Sequence, residues 1–159
     1  EYLAMNENIT PEAAQELWNH KGYVFKAILL SKGSMVLKKE EYAEVYRKYF
    51  KNNTRSSWRM QQAFLGGYSW YREGAKSKTP PELLEEIYKD LPEEEASRSY
   101  TLERFINHDN CPLNLALRIS TMPDPPANQR HYHTNLDELR QKALMKVAEI
   151  TKRESAASR

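Results

Sequence analysis

The stretch KEEYAEVYRKYFK, at residues 39–51, decides the fold class. Its apolar and aromatic residues, Tyr42, Val45, Tyr46, Tyr49 and Phe50, recur at steps of three and four, and charged residues occupy the other positions. This period predicts an amphipathic α-helix with an aromatic face turned toward a core. The stretch therefore favours a mainly α fold.

Helix signals extend to both sides of this stretch. Thr79-Pro80-Pro81-Glu82 has the spacing of a capping box, with proline at the first helical position, before an apolar repeat that runs to Leu91. Upstream, Thr10-Pro11-Glu12 begins a helix whose apolar face continues to a stop near Gly33, although Gly22 weakens its middle. These signals predict helices on each side of residues 39–51.

Two further helices are predicted from weaker patterns. Residues 54–74 suggest one that is interrupted or closely packed at Gly66-Gly67, and residues 93–107 suggest another, with Ser99 or Thr101 as alternative starts. We therefore expect a compact bundle of about five or six helices.

Two short apolar runs leave helix and strand open. Residues 23–30 read equally as a helix or as a buried strand, because a short apolar run has no diagnostic period. Leu113, Leu115, Leu117 and Ile119 alternate with less apolar residues, which indicates a strand, whereas a helix after Pro112 fits as well. The fold prediction thus includes the option of a minor short β element.

The C-terminal part has its own organisation. Prolines in Met122–Asn128 exclude a regular helix or a central strand, so residues 122–133 are predicted to be a linker between a core domain, 1–121, and a terminal segment, 134–159. Thr134 is expected to cap an amphipathic helix that frays at Ser155–Ser158. Its apolar residues are candidates for binding a protein partner, for pairing with a second copy or for returning to the core: Leu136, Leu139, Ala143, Val147 and Ile150.

The charges of the chain are segregated, although its net charge is only +2. From Lys38 to Lys78, ten Lys and Arg face four Glu, a balance of +6, and from Glu82 to Glu95 seven acids face one Lys, a balance of −6. The single cysteine and the lack of a signal-peptide pattern favour an intracellular protein, cytoplasmic or nuclear. No apolar run approaches the length of a membrane span, so no membrane partner is expected.

No pattern indicates catalysis, a metal or a cofactor. His108 with Cys111, and His131 with His133, match no ligand template, and these histidines are expected to be solvated loop residues. A Cys111 nucleophile would need a base, an orienting acid and an oxyanion site, and no motif supplies them. We therefore predict a non-enzymatic protein without a cofactor.

A basic and aromatic stretch, residues 46–72, offers an alternative function. Interleaved cations and rings can neutralise phosphates and stack on bases, so the candidates for binding single-stranded RNA or DNA are Arg47, Lys48, Lys51, Arg55, Arg59, Trp70, Tyr71 and Arg72. The competing interpretations are that the rings form the core and that the cations pair with the acidic helix that follows. Our first hypothesis is a helical protein–protein interaction module, an adaptor or subunit of an intracellular assembly.

Overall fold

The computed structural model describes residues 4, 6, 8–20, 22–51, 62–66, 77–124 and 135–158. Regular structure in these ranges is helical, which confirms the mainly α prediction. The chain divides into two compact units, unit 1 (Glu1–Asp90 with His108–Asn110) and unit 2 (Leu91–Asn107 with Cys111–Arg159). These limits differ from the predicted division into 1–121, 122–133 and 134–159, which stays a prediction.

Unit 1 contains four α-helices and two short helical turns among its described residues. A π-helical turn, Arg47–Lys51, continues the third α-helix, and a 3₁₀ turn, Gln62–Leu65, stands alone. The α-helices are α1 (Pro11–His20), α2 (Tyr23–Ser31), α3 (Lys39–Tyr46) and α4 (Pro81–Asp90).

The helix predicted to run from Pro11 to near Gly33 is two helices. Gly22 has an extended backbone, with φ −70° and ψ 179°, and ends the α-helical path between α1 and α2. The strand alternative for residues 23–30 is wrong, since α2 covers them. Its predicted stop is confirmed: Gly33 takes φ 67°, and the N–H groups of Gly33 and Ser34 donate to the carbonyl oxygens of Leu30 and Leu29.

The start of α4 differs in detail from the predicted capping box. Pro81 is the first helical residue, but the Thr79 hydroxyl donates to the Phe64 carbonyl oxygen, at 2.6 Å, and lies 2.7 Å from the Ser77 hydroxyl. The buried hydroxyl is used to tie the segment before α4 to the 3₁₀ turn. The sequence spacing cannot tell whether the Thr79 hydroxyl caps α4 or bonds to a distant carbonyl oxygen, because either arrangement satisfies the hydroxyl.

Aromatic rings hold α3 against the 3₁₀ turn. Tyr46 and Phe50 each meet the Phe64 ring edge to face, with centroids 5.4 and 5.2 Å apart. All three side chains are fully buried. Edge-to-face pairs add to the stabilisation from burial. The aromatic face predicted from residues 39–51 therefore contributes to the core of unit 1.

Unit 2 consists of four helices among its described residues: α5 (Glu93–Ala96), α6 (Ser99–Asn107), α7 (Leu113–Ser120) and α8 (Leu136–Ala157). Because α7 covers residues 113–120, the predicted minor β element is wrong for that run, and no strand occurs elsewhere in the described ranges. Leu115, Ala116 and Ile119 are its buried residues, at helical spacing. The alternating apolar residues therefore belong to a helix, in which Leu115 is buried, Leu113 is half-buried and Leu117 is exposed.

The terminal helix α8 packs against α7 and α6 within unit 2. It begins after Asn135, whose φ is 66°, and continues to Ala157, so the predicted fraying at Ser155–Ser158 is wrong for all but the last residue. Thr134, the predicted cap, and residues 125–133 of the predicted linker lie outside the described residues. Across the described ranges, no helix combines the length and apolar character that crossing a bilayer demands.

The two faces of α8 predict different costs for two leucine truncations. Leu139 is 4% exposed and Leu144 is 48% exposed. We expect Leu139→Ala to lower the free energy of unfolding by about 2–4 kcal/mol, because it leaves a cavity against the neighbouring helices. Leu144→Ala serves as the matched control and should cost less than about 1 kcal/mol. Urea denaturation at low protein concentration measures both, and equal losses would contradict the placement of α8.

Candidate interaction surfaces

The outward face of α8 exposes two large apolar side chains. Met145 is 73% exposed and Leu144 is 48% exposed. Both belong to an uncharged, exposed stripe, called here the outward face of α8: Gln141, Leu144, Met145, Ala148, Thr151 and Ser155. Five of these residues, without Met145, are spaced 3-4-3-4, the repeat by which two helices pair.

The partner candidates predicted on α8 occupy its opposite side. Leu136, Leu139, Ala143 and Ile150 are buried, and Val147 is half-buried. They form the face that packs on α7 and α6. Their contact with a partner stays a prediction, and it would require α8 to leave unit 2. The exposed stripe was missed because its only large apolar residues are Leu144 and Met145.

Two of the predicted nucleic-acid contacts pair with α4 instead. Arg47 Nη2 and Lys51 Nζ lie 2.7 and 3.0 Å from the Glu86 carboxylate, and Lys51 Nζ is also 3.1 Å from Asp90. The Arg47 hydrogen bonds, with those of Lys51, lower the pKa of Glu86 to about 2, against desolvation that raises it. This geometry matches the interpretation in which the acidic helix neutralises the basic one.

The remaining nucleic-acid candidates are placed differently. Lys48, in the π-helical turn that follows α3, is exposed, and its Nζ lies 5.2 Å from the Tyr49 ring centroid. Arg55, Arg59, Trp70, Tyr71 and Arg72 lie outside the described residues. The nucleic-acid hypothesis stays a prediction, and within the described residues Arg47 and Lys51 bind carboxylates of the chain itself.

Unit 1 contains a cleft around a lysine that the sequence analysis did not single out. Lys26 is only 7% exposed. Its Nζ donates to the Trp18 carbonyl oxygen and lies 4.7 Å from the Trp18 ring centroid and 5.6 Å from that of Tyr49. The signal available in the sequence was the single charge in the apolar run Tyr23–Leu30.

This Lys26 cleft has a volume of about 210 Å³. Burial lowers the pKa of Lys26, while Tyr49 raises it and the nearby Lys48 charge lowers it further. The cleft lies between α1, α2 and α3, and its lining mixes rings, aliphatic groups and both signs of charge: Trp18, Lys26, Leu37, Glu41, Glu44, Val45, Lys48 and Tyr49.

The thiol and the imidazole near residue 110 are both buried. Burial raises the pKa of Cys111 to about 11, which opposes the thiolate that a nucleophile needs. His108 is fully buried, and its Nδ1 accepts the Asn110 N–H at 3.0 Å, so its prediction as a solvated residue is wrong. In the ranges that the structure describes, no three His, Cys, Asp or Glu side chains cluster as metal ligands.

Comparison with known proteins gives no relative: no protein-family model, no curated protein and no solved structure matches the chain. The surfaces themselves therefore carry the functional argument.

The ion pairs of Glu86 predict a pH-dependent stability. The pKa of Glu86 is lower in the folded chain than its ordinary value of 4.5, so its contribution is present above about pH 4.5 and is lost as the pH falls toward 2. We expect Glu86→Gln to lower the free energy of unfolding at pH 7 by up to about 1 kcal/mol. The difference from the unmodified protein should shrink between pH 5 and pH 3, as followed by urea denaturation. Glu85→Gln, on the same helix, is the control, and a pH-independent difference for Glu86→Gln would refute the assignment.

Burial of Cys111 predicts slow thiol chemistry. At pH 8 we expect the native protein to react with a disulfide reagent roughly 100-fold or more slowly than the protein unfolded in guanidinium, because little thiolate forms and access is restricted. Stopped-flow absorbance measures both rates. Native labelling at the rate of the unfolded chain would show that Cys111 is accessible and ionised.

Proposed function

We propose that the protein is a non-enzymatic helical interaction module, a subunit of an intracellular assembly, and that one partner is a second copy of itself. The contact is the outward face of α8, paired antiparallel with the same face of the other copy. The single observation that carries this proposal is the exposed, uncharged 3-4 repeat around Leu144 and Met145 on a helix whose other face is already buried.

Helical geometry gives the register of the pair. In an antiparallel pair, residue numbers increase along one helix and decrease along the other. The numbers of two facing repeat residues, one from each copy, therefore have the same sum along the whole contact. A register that sets Leu144 against Ala148 of the other copy also sets Ala148 against Leu144. A large side chain then meets a small one twice. Met145, which flanks the repeat, lies near Met145 of the other copy on one side of the two-fold axis, which passes level with residue 146. An isologous interface of this kind closes on itself as a dimer.

The charges that flank the outward face fit the same register. Glu138 lies at the N-terminal end of α8 and Lys152 near its C-terminal end, and both are exposed. Antiparallel pairing brings Glu138 of one copy beside Lys152 of the other, and the reverse. A parallel pair would lack this match, since it sets the acidic ends together. Charge complementarity therefore favours a second copy in the antiparallel orientation.

The size of the surface predicts a weak dimer. The helix is about 33 Å long, at 1.5 Å per residue, and only Leu144 and Met145 of its outward face are large and apolar. Burial of these side chains offsets only part of the cost of association. We expect a dissociation constant in the micromolar range, with a reversible equilibrium.

Sedimentation velocity measures the proposed dimer. The protein concentration should span about 5–500 µM, because an interface of this size is expected to associate in that range. The unmodified protein should shift from monomer to dimer. Met145→Glu and Met145→Lys should each weaken association at least tenfold, because each places like charges near the two-fold axis, and an equimolar mixture of the two variants should restore the dimer.

Val36→Glu is the matched control, since Val36 is 64% exposed, lies in unit 1 and takes the same charge change. It should associate like the unmodified protein. A chain that stays monomeric at 500 µM would overturn the proposed self-association, as would a mixture of the two Met145 variants that fails to dimerise.

A further inference from the structure

The Lys26 cleft is polarised along α3. Glu41, Glu44, Val45, Lys48 and Tyr49 fall at positions i, i+3, i+4, i+7 and i+8, so they share one face of the helix and its π-helical continuation. The two carboxylates come first and the ammonium of Lys48 follows. About 10 Å of helix separates Glu41 from Lys48, at 1.5 Å per residue. The cleft therefore has an acidic end and a basic end.

Lys26 adds a second ammonium group to the cleft, close enough to Lys48 for the Lys48 charge to lower its pKa. An ammonium group has three donors, and the Trp18 carbonyl oxygen takes one of them. No carboxylate among the described residues forms an ion pair with Lys26, although its side chain is almost fully buried. Buried charges are ordinarily paired. The rings of Trp18 and Tyr49 compensate part of the charge, and an anionic oxygen in the cleft would complete its coordination.

The acidic end has an available carboxylate. Glu41 accepts the Lys38 N–H at 2.7 Å and so caps α3. Glu44 lies four residues before Lys48, a spacing at which ion pairs commonly form, yet the two side chains do not pair. Glu44 can therefore accept a hydrogen bond from a cationic group in the cleft while Lys48 and Lys26 donate to an anionic one.

The walls between the two ends are apolar. Leu37 and Val45 are half-buried, as are the rings of Trp18 and Tyr49. A cavity of about 150 Å³ is enough to hold benzene, so the 210 Å³ of the cleft has room for a branched or aromatic side chain with small polar groups attached. The lining combines an apolar wall, an acceptor and two ammonium donors.

We propose that the Lys26 cleft binds a free α-amino acid with an apolar side chain. The ligand carboxylate lies between Lys26 and Lys48, its ammonium group faces Glu44, and its side chain contacts Trp18 and Leu37. A zwitterion pairs with both ends of the cleft at once, whereas a simple anion would be repelled by the carboxylates of Glu44 and Glu41. This site is in unit 1 and does not depend on self-association through α8.

Five small molecules, two expected ligands and three comparison compounds, test the proposal on the unmodified protein. L-Phenylalanine and L-leucine should shift the Trp18 indole resonance in an NMR titration, with saturation below about 10 mM, the affinity expected of a small ligand with two charged contacts. N-acetyl-L-phenylalanine keeps only the carboxylate and L-phenylalaninamide keeps only the ammonium group, so each should bind at least tenfold more weakly. Glycine, without a side chain for the apolar wall, should also bind more weakly.

Variants assign the two ends of the cleft. Lys48→Met and Glu44→Gln should each weaken binding of L-phenylalanine about tenfold or more, because each removes one charge-assisted hydrogen bond. Lys89→Met, on α4, and Glu40→Gln, on α3 but outside the cleft lining, are the matched controls and should bind like the unmodified protein. Lys26→Met should abolish binding, and circular dichroism checks that this variant folds.

The proposal fails if neither L-phenylalanine nor L-leucine perturbs Trp18 at 10 mM. It also fails if N-acetyl-L-phenylalanine or L-phenylalaninamide binds within threefold of L-phenylalanine, since the site would then not require a zwitterion. Loss of binding in the control variants equal to that in Lys48→Met and Glu44→Gln would likewise overturn it.

Discussion

The pairing of α3 with α4 through Tyr46 is the constraint on which unit 1 depends. The Tyr46 ring is fully buried against Phe64, and its hydroxyl donates to the Asp90 carboxylate at 3.1 Å. A buried hydroxyl is costly unless it is hydrogen-bonded, so this bond favours a placement of α4 that keeps Asp90 beside the Tyr46 ring. The Glu86 ion pairs lie along the same line of contact. They pair Arg47 and Lys51 of the basic stretch with a carboxylate of the acidic helix. Another side of α3 and its π-helical continuation lines the Lys26 cleft, together with Trp18 of α1 and Lys26 of α2.

The terminal helix shows how one element can satisfy the core and still present a surface. Its apolar residues Leu139, Ala143 and Ile150 are buried where the helix packs on α7 and α6. A partner that used those residues would have to replace that packing, at a cost of several large side chains. Leu144 and Met145, on the outward face, can be covered without disturbing the fold. This difference in cost is why the proposed contact uses the less apolar face.

Lys26 illustrates a site that depends on tertiary contacts from distant parts of the chain. In the sequence it interrupts an apolar run, which is compatible with an exposed residue on an amphipathic helix. In the structure its side chain is buried and its ammonium lies near the rings of Trp18, on α1, and Tyr49, in the π-helical turn after α3. Both rings come from outside α2, so the periodicity of α2 held no information about them. Lys48, which the sequence analysis predicted as a nucleic-acid contact, lines the same cleft.

Local patterns in the sequence determined the helical class and the aromatic face of residues 39–51. They also determined the start of α4 at Pro81 and the end of α2 near Gly33. These features were predictable because periodicity, proline and glycine act within one or two turns of helix. Tertiary packing decided that residues 113–120 form a helix, since the choice of period depends on which leucines are buried. It also decided that α8 turns Leu139 inward and Met145 outward, and that Lys26 is enclosed by rings. The physical reason is that burial is a property of two surfaces in contact, and a sequence pattern describes only one of them.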